Sequence, residues 1–196
     1  MLVNTLFNGF RFTLDHQVAY ELENSEDPVV NKSAFRTQWE QNIGRHFFFR
    51  FDAKIHYDDV YSLEKYNAIE SDYLHQSRVR EAYIQWQHGR FSAKFGRQVV
   101  VWGKSDSGVV TDVFSPRDYT NLFFTSLEDS RLGQTMLVLD YYSYKSSVAN
   151  EGINEAYQQQ ISLVVNPDVK ANRYAKFGHP YSLGEQAFPD AVAEGE

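Results

Sequence analysis

Residues 10–22 read FRFTLDHQVAYEL, and they alternate almost without fault. Phe10, Phe12, Leu14, His16, Val18, Tyr20 and Leu22 fall on one face. Arg11, Thr13, Asp15, Gln17, Ala19 and Glu21 fall on the other. A period of two sends successive side chains to opposite sides of a pleated strand, and no helix sorts residues this way. Strands of globular proteins run to roughly 5–6 residues, whereas a run of this length extends about 43 Å. A tilted strand that crosses a bilayer needs about 9–11 residues. His16, the one strongly polar side chain on the apolar face, is read as a neutral, partly solvated histidine and not as a ligand.

The pattern recurs outward from this stretch. Strands are predicted over 33–43, 46–57, 77–88, 90–102, 135–144 and 157–165, which makes seven with the first. Gly44-Arg45 and His88-Gly89 mark tight turns, and such turns leave the flanking strands no choice but antiparallel pairing. Residues 24–32 read as a polar loop, 58–75 as an acidic connection with room for a helical turn, and 103–133 as the longest connection. Asn31-Lys32-Ser33 matches a glycosylation sequon and is read as chance. The fold class is all-β, an antiparallel up-and-down meander. Residues 1–166 form a wall of strands carrying the 103–133 insert, and 167–196 form an irregular tail.

Short turns alternate with long connections, and aromatic residues recur near strand ends, among them Phe10, Tyr20, Phe47, Tyr57, Trp86, Phe91 and Tyr141. Both traits fit a transmembrane β-barrel, whole or partial, with short turns on one side, long loops on the other and interfacial aromatic girdles. A soluble sandwich or lipocalin-like barrel would use the same aromatics as core. In the barrel, Phe12, Leu14, Val18, Phe49, Phe51, Ile84, Phe95, Leu137 and Leu163 face lipid. Arg11, Asp15, Arg36, Arg50, Asp52, Lys54 and Lys94 face the lumen. Arg97 falls out of phase, and Gly96 beside it predicts a β-bulge that turns Arg97 toward the lumen as well.

Composition narrows the partners. The chain has 196 residues, 42% of them hydrophobic and 16% aromatic, so it can bury or expose a large apolar surface. No apolar run approaches the roughly 20 residues of a membrane helix, which says nothing against strands. A net charge of −7 argues against nucleic acid, which calls for a basic patch. Cysteine is absent, so disulfides and thiolate metal sites are excluded. The N-terminus shows no signal peptide, and for an exported protein this implies that the leader has been removed. The histidines fall in no metal-ligand spacing. No nucleophile elbow, P-loop or zinc-protease motif occurs. An enzyme is not indicated, and no cofactor is expected.

The 103–133 segment is the best candidate for function. It carries Lys104, Asp106, Asp112, Arg117, Asp118, Glu128, Asp129 and Arg131 among apolar patches such as Val113-Phe114 and Leu122-Phe123-Phe124. A connection of this length is seldom idle. Apolar patches predict that it folds back on the polar face of the sheet, with Pro116 as a rigid corner. Its charges would then line a constriction or pin the loop to the wall by ion pairs.

The stretch GRQVVVWGKSDSGVVTDVFSPRD (Gly96–Asp118), followed by LEDSRLGQTMLVLDYY, resembles a family of proteobacterial outer-membrane, porin-like barrels of unknown function, of the alginate-export and porin-like kind. The resemblance covers 90–142 well. It implies passage of a small solute or export of a polymer across the bacterial outer membrane, with membrane lipid and lipopolysaccharide as partners. Seven strands and no final aromatic-ended strand imply in turn a truncated chain or the N-terminal half of a barrel. The competing expectation is a non-conducting β-sheet binding or structural module, periplasmic or surface-exposed.

Overall fold

A computed structural model describes residues 9–20, 28–100, 115–121, 124–146, 156–167 and 169–182. Its strands are β1 (Phe10–Tyr20), β2 (Pro28–Ile43), β3 (Phe47–Asp58), β4 (His75–His88), β5 (Phe91–Gln98), β6 (Gln134–Ser146) and β7 (Ala156–Val165). They form one antiparallel sheet in chain order. The expected meander is therefore present. Two boundaries differ from the expected ones by more than two residues. β2 begins at Pro28 and not at 33, because a proline is tolerated as the first residue of a strand, where its missing N–H breaks little of the ladder. β5 ends at Gln98, before the apolar run that the alternation assigns to it. The acidic connection folds as two 3₁₀ turns, Asp59–Ser62 and Glu64–Tyr66, and a one-turn helix, Glu70–Tyr73. No ladder joins β1 to β7 among the described residues, and because seven is odd these two strands run in the same direction.

The register sorts the side chains into two faces. Leu14 pairs with Phe35 and Phe35 with Ile55. Ile84 pairs with Phe95, Phe95 with Leu137 and Leu139 with Leu163. This apolar face is open: Leu14 is 82% exposed and Ile161 70%. The opposite face carries the charges and is the covered one. Asp52 and Met136 on it are both 0% exposed, and Gln98, Gln134 and Ser92 are buried with them.

The expected bulge at Gly96 is not where the register breaks. Arg97 pairs with Ala82 and Thr135 in unbroken sequence, so it keeps the parity of Phe95 and does not join the polar face. Its Nε donates to the Val79 carbonyl at 2.6 Å. The break lies one strand away. Asp52 pairs with Glu81 and Ala53 with Val79, leaving Arg80 as the extra residue of β4. Val79 and Ala82, three apart, thereby reach the same apolar face, and Arg80 joins Glu81 on the polar one. What Gly96 provides is clearance. Its φ of 129° lies where side chains are strained, and a Cβ there would sit 2.4 Å from the Ala82 carbonyl oxygen and 2.8 Å from Tyr83 Cα.

At the end of the sheet where the long connections lie, a small second core forms. Tyr61, Ile69 and Tyr73 are its buried centre. Residues 169–182 run across it, so this part of the predicted irregular tail is a docked strap. The Lys176 amide donates to the Tyr73 hydroxyl at 2.9 Å, and Lys176 Nζ meets Asp72 at 2.6 Å. Near the end of the strap lies His179, 0% exposed and packed against the rings of Tyr61, Tyr73 and Tyr181. The Tyr181 amide donates to His179 Nδ1 at 3.1 Å, so that nitrogen must hold a lone pair. The neutral ring then carries its proton on Nε2, 2.6 Å from the Tyr61 oxygen. Burial, with Arg173 nearby, pushes the His179 imidazole down to about 4, and burial pushes the Tyr61 phenol up.

Two measurements follow from this packing. Gly96→Ala should cost about 3 kcal/mol, since strain and a backbone clash add. Gly44→Ala, at a φ of 67° with nothing within 4 Å, should cost only about 1 kcal/mol. Equal urea midpoints for the two variants would contradict the close approach of β4 and β5. For His179, protonation favours the undocked strap because the folded pKa lies below that of a free imidazole. Its stabilising contribution is complete above pH 6.5 and is lost as the pH falls from there toward 4, a loss of up to about 3 kcal/mol. Proteolysis within 169–182 should therefore accelerate over that range in the native chain and much less in His179→Phe.

Candidate functional site

The centre of the polar face is a row of bases. Arg36 stands directly opposite Lys54, and Lys54 directly opposite Arg78. Like charges at paired positions destabilise a sheet, so this row needs compensation. Part comes from the wall, where Asp52 on β3 accepts from Arg36 Nε at 2.9 Å and Nη2 at 2.6 Å, and also from Gln38 at 3.3 Å. Arg80, brought to this face by the bulge, lies 3.7 Å from the same carboxylate.

The rest comes from the segment between β5 and β6. Ser115 Oγ bonds both the amide and the carbonyl of Val100, at 3.1 and 3.0 Å, so the chain returns to the strand exit. Residues 116–119 then lie between two other segments. Asp118 N donates to Ser130 O at 2.7 Å and Leu132 N to Pro116 O at 2.7 Å on one side. Arg173 N donates to Arg117 O and Tyr119 N to Arg173 O, both at 2.8 Å, on the other. The strap and the loop thus hold each other. A short helix, Leu127–Ser130, is capped by Ser126, whose hydroxyl accepts from the Asp129 amide at 3.1 Å.

This frame lays three carboxylates on the bases. Asp129 lies 3.4 Å from Arg36 and 3.5 Å from Lys54, and Glu128 lies 3.4 Å from Arg80. Asp118 pairs with Arg78 and, at 3.5 Å, with Arg173. Burial works against the Asp118 carboxylate, but the Thr120 hydroxyl and amide and the Arg78 guanidinium win, holding its pKa below the usual range.

Between loop and wall a cavity of about 70 Å³ remains. Lys32, Arg36, Lys54, Arg78, Arg80 and Arg131 line it against Asp52, Asp118 and Asp129, with His56, Thr120, Asn121 and Thr125 between them. Even with Glu128 and Asp58 alongside counted, bases outnumber acids, in a chain whose net charge is −7. No group of three metal-ligating side chains occurs among the described residues.

Of the residues singled out in the sequence, Asp118, Glu128 and Asp129 come together with Arg36, Asp52 and Lys54. Arg131 lines the cavity, and Arg117 serves the frame through its backbone. Arg50 stands apart, held by Glu40 and by Glu81 at 2.7 Å, and Lys94 sits over the Tyr83 ring at 4.9 Å. Lys104, Asp106 and Asp112 lie outside the described residues, as do Val113, Phe114 and Phe123. Sequence reading missed Arg78, Arg80, Lys32, Thr120 and Arg173. The slipped alternation of Arg78-Val79-Arg80-Glu81, with two bases and an acid around one apolar residue, was the available signal for the first two.

Asp118→Asn leaves two arginines without their carboxylate in a mostly buried place and should cost about 2–3 kcal/mol. Glu128→Gln removes an exposed partner and should cost no more than about 1 kcal/mol. Thermal unfolding that ranks the two in the opposite order would refute the central place of Asp118.

No curated protein matches this chain, and no solved structure does. The model of a family described as a protein of unknown function, DUF1302, matches residues 25–147, which hold β2 to β6 and every carboxylate of the site, and the chain belongs to that family.

Proposed function

We propose that the sheet is part of the wall of an outer-membrane β-barrel, with its apolar face toward lipid and its polar face toward an aqueous lumen that admits a small polar solute. The observation that carries this reading is the inverted burial. Large apolar side chains from all seven strands stand exposed on one face, while Asp52, Gln98 and Gln134 are buried on the other. A water-soluble sheet with one solvated face does the reverse. Strand length supports the same reading: β2, β4 and β6 have 16, 14 and 13 residues, enough to cross a bilayer at a tilt. Aromatic contacts near the short-turn end, such as Phe10 with Trp39 and Phe91 with Tyr141, suit an interfacial girdle. The two longest connections, β3 to β4 and β5 to β6, share the opposite end, as outer-membrane loops do. Residues 115–121 and 124–133 narrow the lumen. Because β1 and β7 run in the same direction, antiparallel closure takes an odd number of further strands.

Assembly and conduction test the reading. An arginine at the bilayer midplane costs about 2–4 kcal/mol, so Leu14→Arg should impair insertion of the native protein into lipid vesicles while Asp15→Asn should not. The native protein in planar bilayers should show discrete conductance steps. Equal insertion of both variants would overturn the facing. Insertion without conductance would leave a non-conducting wall or binding module.

A further inference from the structure

We propose that the cavity beside the Arg36–Lys54–Arg78 row is a binding site for a small oxyanion, a phosphate or a carboxylate. The proposal deepens the reading above, since it names the class of solute that the narrowed lumen would prefer.

Three observations carry it. First, the charge balance is unequal in a particular way. Asp129 is shared by Arg36 and Lys54, Asp118 by Arg78 and Arg173, and Asp52 by Arg36 and Arg80. Those three carboxylates and Glu128 serve five bases, Arg36, Lys54, Arg78, Arg80 and Arg173, so among the described residues one positive charge is left over before Lys32 is counted. Second, the next positions along the wall add polar groups, and the acid among them, Asp58 opposite Lys32, is engaged by the amides of Asn31 and Val60. Ala34 stands opposite His56, and His56 opposite Gln76. Lys32 also lines the cavity, and no salt bridge within 4.0 Å ties its ammonium to an acid among the described residues. Third, the loop side contributes uncharged polar groups, Thr120, Asn121 and Thr125.

A space of about 70 Å³ suits a group of a few heavy atoms and excludes a large apolar ligand, whose pockets run to about 300–1,000 Å³. The loop itself shows which chemistry the row accepts. Asp118 and Asp129 are carboxylates supplied in cis, and an external oxyanion would meet the same guanidinium and ammonium groups from the Lys32 side. Arginine forks match carboxylate and phosphate alike, so the shared chemistry is that of a small oxyanion.

The experiment is titration of the purified native protein in detergent with inorganic phosphate and, separately, with acetate, read by calorimetry. The same protein in planar bilayers gives the reversal potential in a KCl gradient. Phosphate or acetate should bind, and the anion with the stronger heat identifies the source. Lys32→Gln should weaken binding by about tenfold, the size of one charge-assisted contact, and shift the reversal potential toward cations. Lys32→Arg should restore both. Among the described residues Lys32 holds no ion pair with the loop, so its replacement tests the site without releasing the frame, and far-UV circular dichroism checks that the variant folds. Conductance with no anion binding and an unchanged reversal potential in Lys32→Gln would overturn the site while leaving the pore. Anion binding lost in Lys32→Gln, in a protein that conducts nothing, would uphold the site and overturn the pore.

Discussion

Three bases placed directly opposite one another on adjacent strands cannot stay as they are. The repulsion among Arg36, Lys54 and Arg78 acts across the ladder of β2, β3 and β4, in a region from which the covering segment excludes much of the water. Two things relieve it. Asp52 takes a two-pronged contact from Arg36 within the wall, and Asp118 and Asp129 come down from the loop. The loop is therefore held by the needs of the sheet as much as by its own hydrogen bonds. This explains why a segment with few regular elements keeps a defined place over the wall.

The same constraint orders the rest of the long-connection end. Asp118 is useful only if its backbone is fixed, and it is fixed between Ser130 and Arg173. Arg173 belongs to the strap, and the strap is anchored in turn on the connection between β3 and β4, where Tyr73 holds Lys176 and Tyr61 holds His179. Three segments far apart in the chain thus depend on one another. An aromatic core with a neutral histidine stands at one side of this arrangement, and a carboxylate held ionised by Thr120 and Arg78 at the other. Loosening either side would release the other, because the 116–119 strip has a neighbour on both edges.

The faces of the sheet show how a single inserted residue serves function. Without the bulge at Arg80, either Val79 or Ala82 would lie on the polar face, and Glu81 or Arg80 would be forced onto the apolar one. The extra residue spares both costs and adds a base beside Asp52. Gly96, which the sequence pattern marks as the bulge, instead allows β5 to approach Tyr83 closely. The two features lie near each other on adjacent strands, which is why periodicity alone assigned the irregularity to the wrong one.

The sequence by itself determined the sheet. Period-two alternation, two glycine-bearing turns and strand length sufficed for seven antiparallel strands in chain order and for the two faces, because each of these is a local property of a few residues. It also marked Asp118, Glu128 and Asp129 among the eight charged residues of a loop with reason to fold inward. It could not show that Arg78 stands beside Lys54, that Arg80 is a bulge residue, or that His179 in an apparently irregular tail lies 118 positions from the tyrosine it contacts. Those facts depend on cross-strand register and on which distant segments meet. Both are fixed by the sum of many pairings along the ladder and by the compensation of buried charge, and neither leaves a periodic trace in the residues that take part.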